Sequence, residues 1–564
     1  MLAGCGGSQP TEPAAAPTVA PSPEVAIPAA PIPTLAWEMP AHRIGVHAPK
    51  GVGELYDRIT GDEFIVRGAN YVYVPTPSGR NDVNLLKESI YDPDRTREDF
   101  ARLTSLGYNS VRVFLDHCNV GPGCIGDSDD DGLNPGYLDN IADMMAAAHN
   151  TGIYVLFTSN DLPDQGGYSN EANSQEGSIF AGYRNSYYLT PGAINATRRY
   201  WRDLLTGLKE RQAAFDAVLG WQLLNEQWMF QDQPPLSLTE GLVETTTGTY
   251  DMSDPVAKAR MVDEGLIHYI REMKDEILIH DPTALVTMGF FVPDIVAPDW
   301  YVQTAPLLAG SDLDFFDFHA YPGTHSFADH AEHFGMVGYD EKPIVLGEYG
   351  AFRSSYDDIE PAARAVSEWV KESCSHGFDG WLYWTYNSAD PEVGDRTWGL
   401  VDGEGFLLDL FAPVNQPDPC TVVEVETRNL GYAKPVQASA FLAEEPPALA
   451  VDEDAGTQWG AGADAPQWIE IDLEGAYDLS EIILLVAQWP EGSTRHRVLV
   501  RASGAAAFTV IHEFQGTTKE GDRLSFVPDA PIPSVEVVRV ESISSPSWIA
   551  WAEIEVYGEQ LDSP

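Results

Sequence analysis

Two glutamates stand out by their setting. Glu226, in Leu223-Leu224-Asn225-Glu226-Gln227, and Glu348, in Val345-Leu346-Gly347-Glu348-Tyr349-Gly350, each close a short apolar run with the composition of a β-strand, far apart in the chain. A pair of carboxyl groups brought together in this way can cleave a glycosidic bond: one protonates the leaving oxygen while the other stabilises or traps the oxocarbenium-like sugar. Strand ends on one rim of a barrel bring such groups together. A single glutamate among 86 acidic residues is normally a solvated side chain, and Asn-Glu after a strand can be a helix cap, so the reading rests on the pair.

The elements that must hold these residues are legible as a repeat. From about residue 41 to 415, short β-branched or apolar runs alternate with longer helical patterns, as in βα units feeding a parallel sheet. The runs are 64–70, 110–115, 153–158, 218–224, 285–291, 315–319, 343–348 and 380–385. Asn134-Pro135, Thr190-Pro191 and Ser253-Asp254-Pro255 are start signals for the helices between them. The spacing predicts an α/β fold, a (β/α)₈ TIM barrel, with a hairpin around Gly61-Asp62 closing its bottom.

Composition narrows the partners. A chain of 564 residues exceeds the size at which single cores stop growing, about 250 to 300 residues, so two or three domains are expected. With 86 acidic against 33 basic residues the net charge is −53, which repels phosphate backbones and anionic lipid and argues against nucleic acid as a partner. Such acidity also suits a solvated surface in a salty or acidic habitat. No apolar run reaches the roughly 18 residues needed to span a bilayer. Met1-Leu2-Ala3-Gly4-Cys5 resembles the lipobox of bacterial lipoproteins, which implies a lipid anchor at Cys5. Residues 1–40 then read as this start plus a tether, rich in Pro, Ala, Thr and Ser and nearly free of charge, favouring extended polyproline geometry. Cys118, Cys124, Cys374 and Cys420 suggest two disulfides, 118 to 124 and 374 to 420, with four free thiols as the alternative.

The strand ends of the barrel together resemble the retaining glycoside hydrolases whose acid/base follows strand four and whose nucleophile follows strand seven, with glycoside hydrolase family 5 nearest. The residues that carry this are Arg67-Gly68-Ala69-Asn70, Val111-Arg112-Val113, Asn225-Glu226, His319-Ala320-Tyr321, Gly347-Glu348-Tyr349-Gly350 and Trp381-Leu382-Tyr383-Trp384. The resemblance implies that Glu226 is the general acid, then base, and that Glu348 is the nucleophile. Glu348 as a charged neighbour would raise the pKa of Glu226 until its own charge is consumed. Asn225 would bind the 2-hydroxyl of the reacting sugar, Arg112 and Tyr321 would orient Glu348, Trp384 would offer a flat face to the sugar, and His319 would line the site. Arg67 and Asn70 either join them or only shape the barrel. No cofactor is needed for this catalysis.

The loop 159–168, with Gly166-Gly167 and no histidine, looks more like that of mannan-cleaving members than of cellulose-cleaving ones, although the former commonly carry a second glutamate where Gly347 stands. A β-1,4-mannan or related β-glycan is the first expectation and β-glucan the next. Trp228, Phe230, Tyr250 and Trp398 are candidates for sugar subsites, and Asp127-Ser128-Asp129-Asp130-Asp131-Gly132 for an oxygen-ligated calcium, with a solvated acidic loop as the plainer reading.

After Pro417-Asp418-Pro419 and a linker over 416–429, residues 430–564 show short alternating strands without helical periodicity, as in a β-sandwich. The segments 450–459, 466–473 and 552–558 resemble discoidin-type (coagulation factor 5/8 C-terminal) domains and carbohydrate-binding modules of family 32, which implies a jelly-roll sandwich that binds sugar. The resemblance also implies a structural calcium held by Asp452, Asp454, Thr457 and Glu553. Trp468 is expected in the core, and Trp489, His496 and Trp548 are candidate sugar contacts. The chain thus reads as a secreted or surface-anchored monomer: tether, catalytic barrel, sugar-binding sandwich. The alternatives are a transglycosylase, or a glycan-binding lipoprotein without turnover.

Overall fold

The computed structural model of the protein describes residues 37–75, 81–127, 132–174, 180, 182–226, 229–291, 303–323, 325–356, 359–389, 396–422, 429–528 and 530–560. The lipobox-like start, most of the tether, the centre of the Asp127–Gly132 loop, Trp228 and residues 423–428 of the linker lie outside these residues. Among the described residues no helix is long and apolar enough to cross a membrane.

The barrel strands are β1 Val66–Asn70, β2 Ser110–Phe114, β3 Tyr154–Thr158, β4 Val218–Gln222, β5 in two pieces, Val286–Thr287 and Gly289–Phe291, β6 Phe316–His319, β7 Ile344–Tyr349 and β8 Gly380–Tyr383. All pair in parallel. Closure runs through β5: its first piece pairs with β4 and its second with β6. The strands are nearly wholly buried, as expected of a parallel sheet covered by helices.

Helices start where their caps demand. Helix α1, Pro135–Thr151, is capped by the Asn134 side chain, which accepts from the Gly136 N–H, and ends at Gly152 in the left-handed region. Helix α2, Pro191–Glu210, is capped by Thr190, and helix α3, Pro255–His280, by Asp254. Each begins with proline at its first position, where no N–H is needed. Helix α4, Ile359–Cys374, leads into β8. Disulfides join Cys118 to Cys124 and Cys374 to Cys420.

The barrel bottom is closed by a two-stranded hairpin, Ile44–His47 against Glu54–Asp57, and a tight turn through Gly61 then carries the chain toward β1. Ile44 and Leu55 from this hairpin pack on Val66, Leu156, Leu219, Leu285, Phe315, Val345 and Leu382, an apolar layer drawn from five of the strands and from the residues just before β5 and β6. The polar interior therefore lies above it, at the strand C-termini.

The C-terminal domain is an antiparallel sandwich built on one long strand, β9 Gln467–Val486. Its first half pairs with β12, Ile532–Ser544, and its second with β13, Ala550–Gln560, so one strand joins the two sides of the eight-stranded sheet. Strands β10, Gly492–Ala502, and β11, Thr509–Thr518, extend the β12 side. Trp459, Trp551, Ile469, Leu484 and Val540 are among its core. Trp468 is not in that core. It lies half-exposed beneath the Arg539 guanidinium, 4.7 Å from its ring, because the face of β9 that carries it looks outward.

Truncating the bottom plug by Leu55→Ala should cost about 2 to 5 kcal/mol in barrel stability, since a fully buried side chain leaves a cavity its neighbours cannot refill. Denaturant unfolding of the variant against the parent measures this.

Candidate active site at the barrel mouth

Interior positions follow the pleat. Val66, Gly68 and Asn70 face inward on β1, Phe315, Asp317 and His319 at β6, and Leu382 and Trp384 at β8, while Arg67 faces outward and donates to the carbonyls of Phe411 and Gln416. Arg67 thus fastens the segment after the barrel and is absent from the site. On β7 the pleat alone would turn Glu348 away, because Val345 and Gly347 already point inward. Register shifts against both neighbours, between Leu346 and Tyr349 and between Phe318 and His319, bring Glu348 opposite His319. An irregularity of this kind is the usual way to re-aim one side chain at a strand end.

Glu226 lies past the end of β4, in a loop held by a backbone bond from Gly289 N–H to Leu224 O. A side chain at 289 would meet Asn225 O at 1.8 Å, so only glycine lets the Asn225-Glu226 backbone approach β5 this closely. One ligating atom from each of Glu226, His319 and Glu348 falls within 4.8 Å of the others. His319 Nδ1 is 2.9 Å from Glu226 Oε1 and 3.5 Å from Glu348 Oε1. Tyr321 O–H donates to Glu348 Oε2 at 2.9 Å.

Arg112 is fully buried and ties these pieces together. Its guanidinium donates to Glu348 Oε1 at 2.7 Å, Asn70 Oδ1 at 2.8 Å, Gln222 Oε1 at 2.7 Å and Asn225 Oδ1 at 2.6 Å. Asn70 in turn donates to Gly347 O, so it belongs to the frame beneath the pair. Trp384 is half-exposed at the rim, edge-on to Phe114. The structure therefore brings together Glu226, Glu348, Arg112, Asn225, His319 and Tyr321, with Trp384 above them.

Burial pushes the Glu348 carboxyl above its ordinary range, opposed by the His319 and Arg112 cations. Burial also works against a charged His319, but Glu348, Asp317 and Glu226 outweigh it and hold the imidazole up to about 9. Sequence reasoning missed Gln222, Asp317, Tyr73 and His117. Asp317 shares the inward face of His319 two residues away, a signal the β6 alternation contains. Tyr73, whose phenol is raised by burial and by Glu348, and His117, stacked on Phe114 at 3.9 Å, sit on loops that no periodicity marks.

Of the proposed subsites, Tyr250 is buried and hydrogen-bonded to Glu264 and Thr247, a packing role. Trp398 is half-exposed, with its indole N–H on Tyr356 O and the Arg353 guanidinium 3.5 Å from its ring. Phe230 is half-buried, its backbone N–H bound to the Asn185 side chain.

A parallel barrel carrying two carboxylates this close at its mouth is the arrangement of a glycoside hydrolase. The Cellulase (glycosyl hydrolase family 5) profile matches residues 78–390, more than half of the chain, and the chain belongs to that family. The F5/8 type C domain profile matches residues 435–554. No curated protein matches the chain. Among solved structures, an exo-β-1,4-mannosidase from Opitutaceae bacterium strain TAV5 is similar at 18% identity and a TM-score of 0.44, covering 66% of this chain and 62% of its own. A family 32 carbohydrate-binding module from C. perfringens, solved with galactose, is 20% identical over 24% of this chain and 99% of its own, with a TM-score of 0.21. A chitosan-binding module from Paenibacillus sp. IK-5, solved with chitotriose, is 26% identical over 23% of this chain and 100% of its own, with a TM-score of 0.20.

In the sandwich, the Asp454 N–H lies 3.1 Å from both Asp452 Oδ1 and Glu553 Oε1, and Thr457 O–H donates to Asp452 at 3.0 Å. Glu553 is buried, and its Oε2 has no hydrogen-bond partner. Burial first, then the adjoining Asp452, pushes its carboxyl up to about 8. Trp489 and Trp548 stand 79% and 53% exposed. His496 does not join them: it is buried, hydrogen-bonded to Ser542 and packed on Trp551, because it lies inside β10 and not in a loop.

A carboxyl raised in the folded state favours folding at low pH. The Glu553 contribution is fully present below its ordinary 4.5 and is lost as pH rises through about 8. In the absence of divalent cations the sandwich should lose thermal stability over that interval, and Glu553→Gln should flatten the profile. Calorimetry across pH measures both.

Proposed function

We propose that the barrel is a retaining β-glycosidase, with Glu226 as acid/base and Glu348 as nucleophile. The observation that carries this is the short gap between their carboxyl groups, spanned by His319, with Arg112 and Tyr321 donating to Glu348. Carboxyl groups about 5 to 5.5 Å apart suit direct attack by one of them, whereas a water-mediated inversion needs roughly 6.5 to 9.5 Å.

In the first half-reaction Glu348 bonds to the anomeric carbon as the bond to the leaving oxygen breaks and that oxygen takes the proton of Glu226. Arg112 on Oε1 and the O–H of Tyr321 on Oε2 then relax their hold on a carboxyl group that has lost its charge. In the second, Glu226 takes a proton from water, the water oxygen bonds to the anomeric carbon, and the Glu348 ester bond breaks. Asn225, fixed by Arg112, keeps its amide N–H₂ for the 2-hydroxyl of the sugar, and Trp384 stacks on the ring. The substrate we favour is a β-1,4-mannan or related β-glycan, on the character of the loop 159–168, with β-glucan as the alternative.

The sandwich serves as a carbohydrate-binding module, with the exposed Trp489 and Trp548 as its sugar-facing residues, raising the local concentration of polysaccharide. Asp452, Asp454, Thr457 and Glu553 suit an oxygen-ligated calcium: two carboxylates share one N–H, and one buried oxygen lacks a partner. The ion would supply the charge these carboxylates lack. We read the protein as exported and held at a cell surface through Cys5, with residues 9–40 as spacer, consistent with its two disulfides.

Glu348→Gln should abolish turnover of aryl β-mannosides and of β-mannan. Glu226→Gln should cut kcat by about 10²- to 10⁴-fold on polysaccharide while sparing substrates whose leaving group needs no proton. Proton NMR of the first product should show retained β-configuration. Inversion, or turnover that survives Glu348→Gln, refutes the assignment. Added calcium should raise the melting temperature of the sandwich transition, reversibly with chelator, and Glu553→Gln should remove that response.

A further inference from the structure

Resting on the assignment of Glu226 and Glu348 as the reacting pair, we propose that Asp317 is a positioning residue that keeps the His319 imidazole doubly protonated and so holds a cation between the two carboxylates. Asp317 lies two residues before His319 on β6, on the same inward face, and its side chain is fully buried. Its Oδ2 accepts from the Gln222 amide, with Arg112 Nε 3.6 Å away. Its Oδ1 has no hydrogen-bond partner, and His319 Nε2, 3.8 Å away, has none either.

The ring therefore faces carboxylates on both sides: Asp317 below at Nε2, Glu226 and Glu348 above at Nδ1. A neutral imidazole carries one N–H, so either tautomer turns a bare nitrogen lone pair toward an acid oxygen. The imidazolium turns an N–H both ways. Charge balance gives the same answer. Asp317 and Glu348 are buried carboxylates, Arg112 supplies one positive charge, and His319 supplies the second. Among the described residues the remaining titratable groups around the site are Tyr321, which donates to Glu348, Tyr73, and His117, which burial pushes down to about 4; none supplies a cation.

The chain has made room for this carboxylate. A side chain at 347 would meet Asp317 Oδ1 at 1.6 Å, so the glycine that precedes Glu348 is the space Asp317 occupies. The consequence for catalysis concerns which oxygen of Glu226 works. An N–H of His319 directed at Glu226 Oε1 leaves Oε2 as the oxygen that carries the transferable proton. When Glu226 later acts as base, the same cation stabilises its carboxylate.

The test uses the full-length protein with isotope-labelled histidine. In the parent, the His319 resonances, identified by their loss in His319→Gln, should show both ring nitrogens protonated at pH 7.5 and titrate well above the ordinary 6.5, near 9. In Asp317→Asn the titration should move down by at least about one pH unit. The alkaline limb of kcat on an aryl β-mannoside should follow it, a one-unit move giving about twofold lower kcat near pH 8 and about fivefold lower near pH 9 at nearly unchanged KM. A neutral His319 at pH 7.5 in the parent overturns the proposal, as does an Asp317→Asn variant that leaves the titration and the alkaline limb in place. Should Asp317→Asn fail to fold, the parent titration decides alone. Absence of turnover on every β-glycoside removes the hydrolase assignment, and the NMR titration still decides the Asp317–His319 contact.

Discussion

The mouth of the barrel is organised around one buried guanidinium. Arg112 reaches residues of β1, β4 and β7 and of the loop after β4, and its planar fork fixes the direction of each hydrogen bond it makes. A cation so enclosed must be matched by carboxylate, and Glu348 and Asp317 match it. Removing one member of such a set typically costs about 3 to 5 kcal/mol, because the others stay charged and dry. The residue that orients the chemistry is thus also one that the barrel interior cannot lose cheaply.

Around that centre the backbone supplies what side chains cannot. The register shifts at β7 turn Glu348 into a position that regular pleating would deny it, and Gly289 admits the Asn225 carbonyl where any Cβ would block it. Below, the apolar layer of the bottom hairpin keeps the polar network at one end, so the network has a dry floor and an open top. Catalytic geometry here is the sum of one fork of hydrogen bonds, one irregular strand and one close backbone contact.

Much of this was readable from the chain, and the parts that were not share a cause. Strand identity and helix starts follow local patterns: Asn134, Thr190 and Asp254 cap the helices their sequences announce. Glu226 and Glu348 are visible because a strand end is a local signal. The inward turn of Glu348 is not, since a bulge depends on the registers of two neighbouring strands. Arg67 resembles a site residue in sequence and faces the other way by simple alternation. Asp317 was within reach of the same alternation. Trp468 and His496 exchanged the environments expected of them, the tryptophan half-open and the histidine buried, because burial in a sandwich is set by which face of a long shared strand looks inward. Tyr73 and His117 come from loops, where no period exists to be read.

The bond between Cys374 and Cys420 joins the end of helix α4 to the segment that leaves the barrel. All of β8, with the Trp384 rim, lies within the loop it closes. A proteolytic nick anywhere in that loop would leave both fragments covalently attached, so the C-terminal sandwich stays leashed to the barrel until a reductant arrives. Damage to the exposed rim is thereby uncoupled from loss of the appendage.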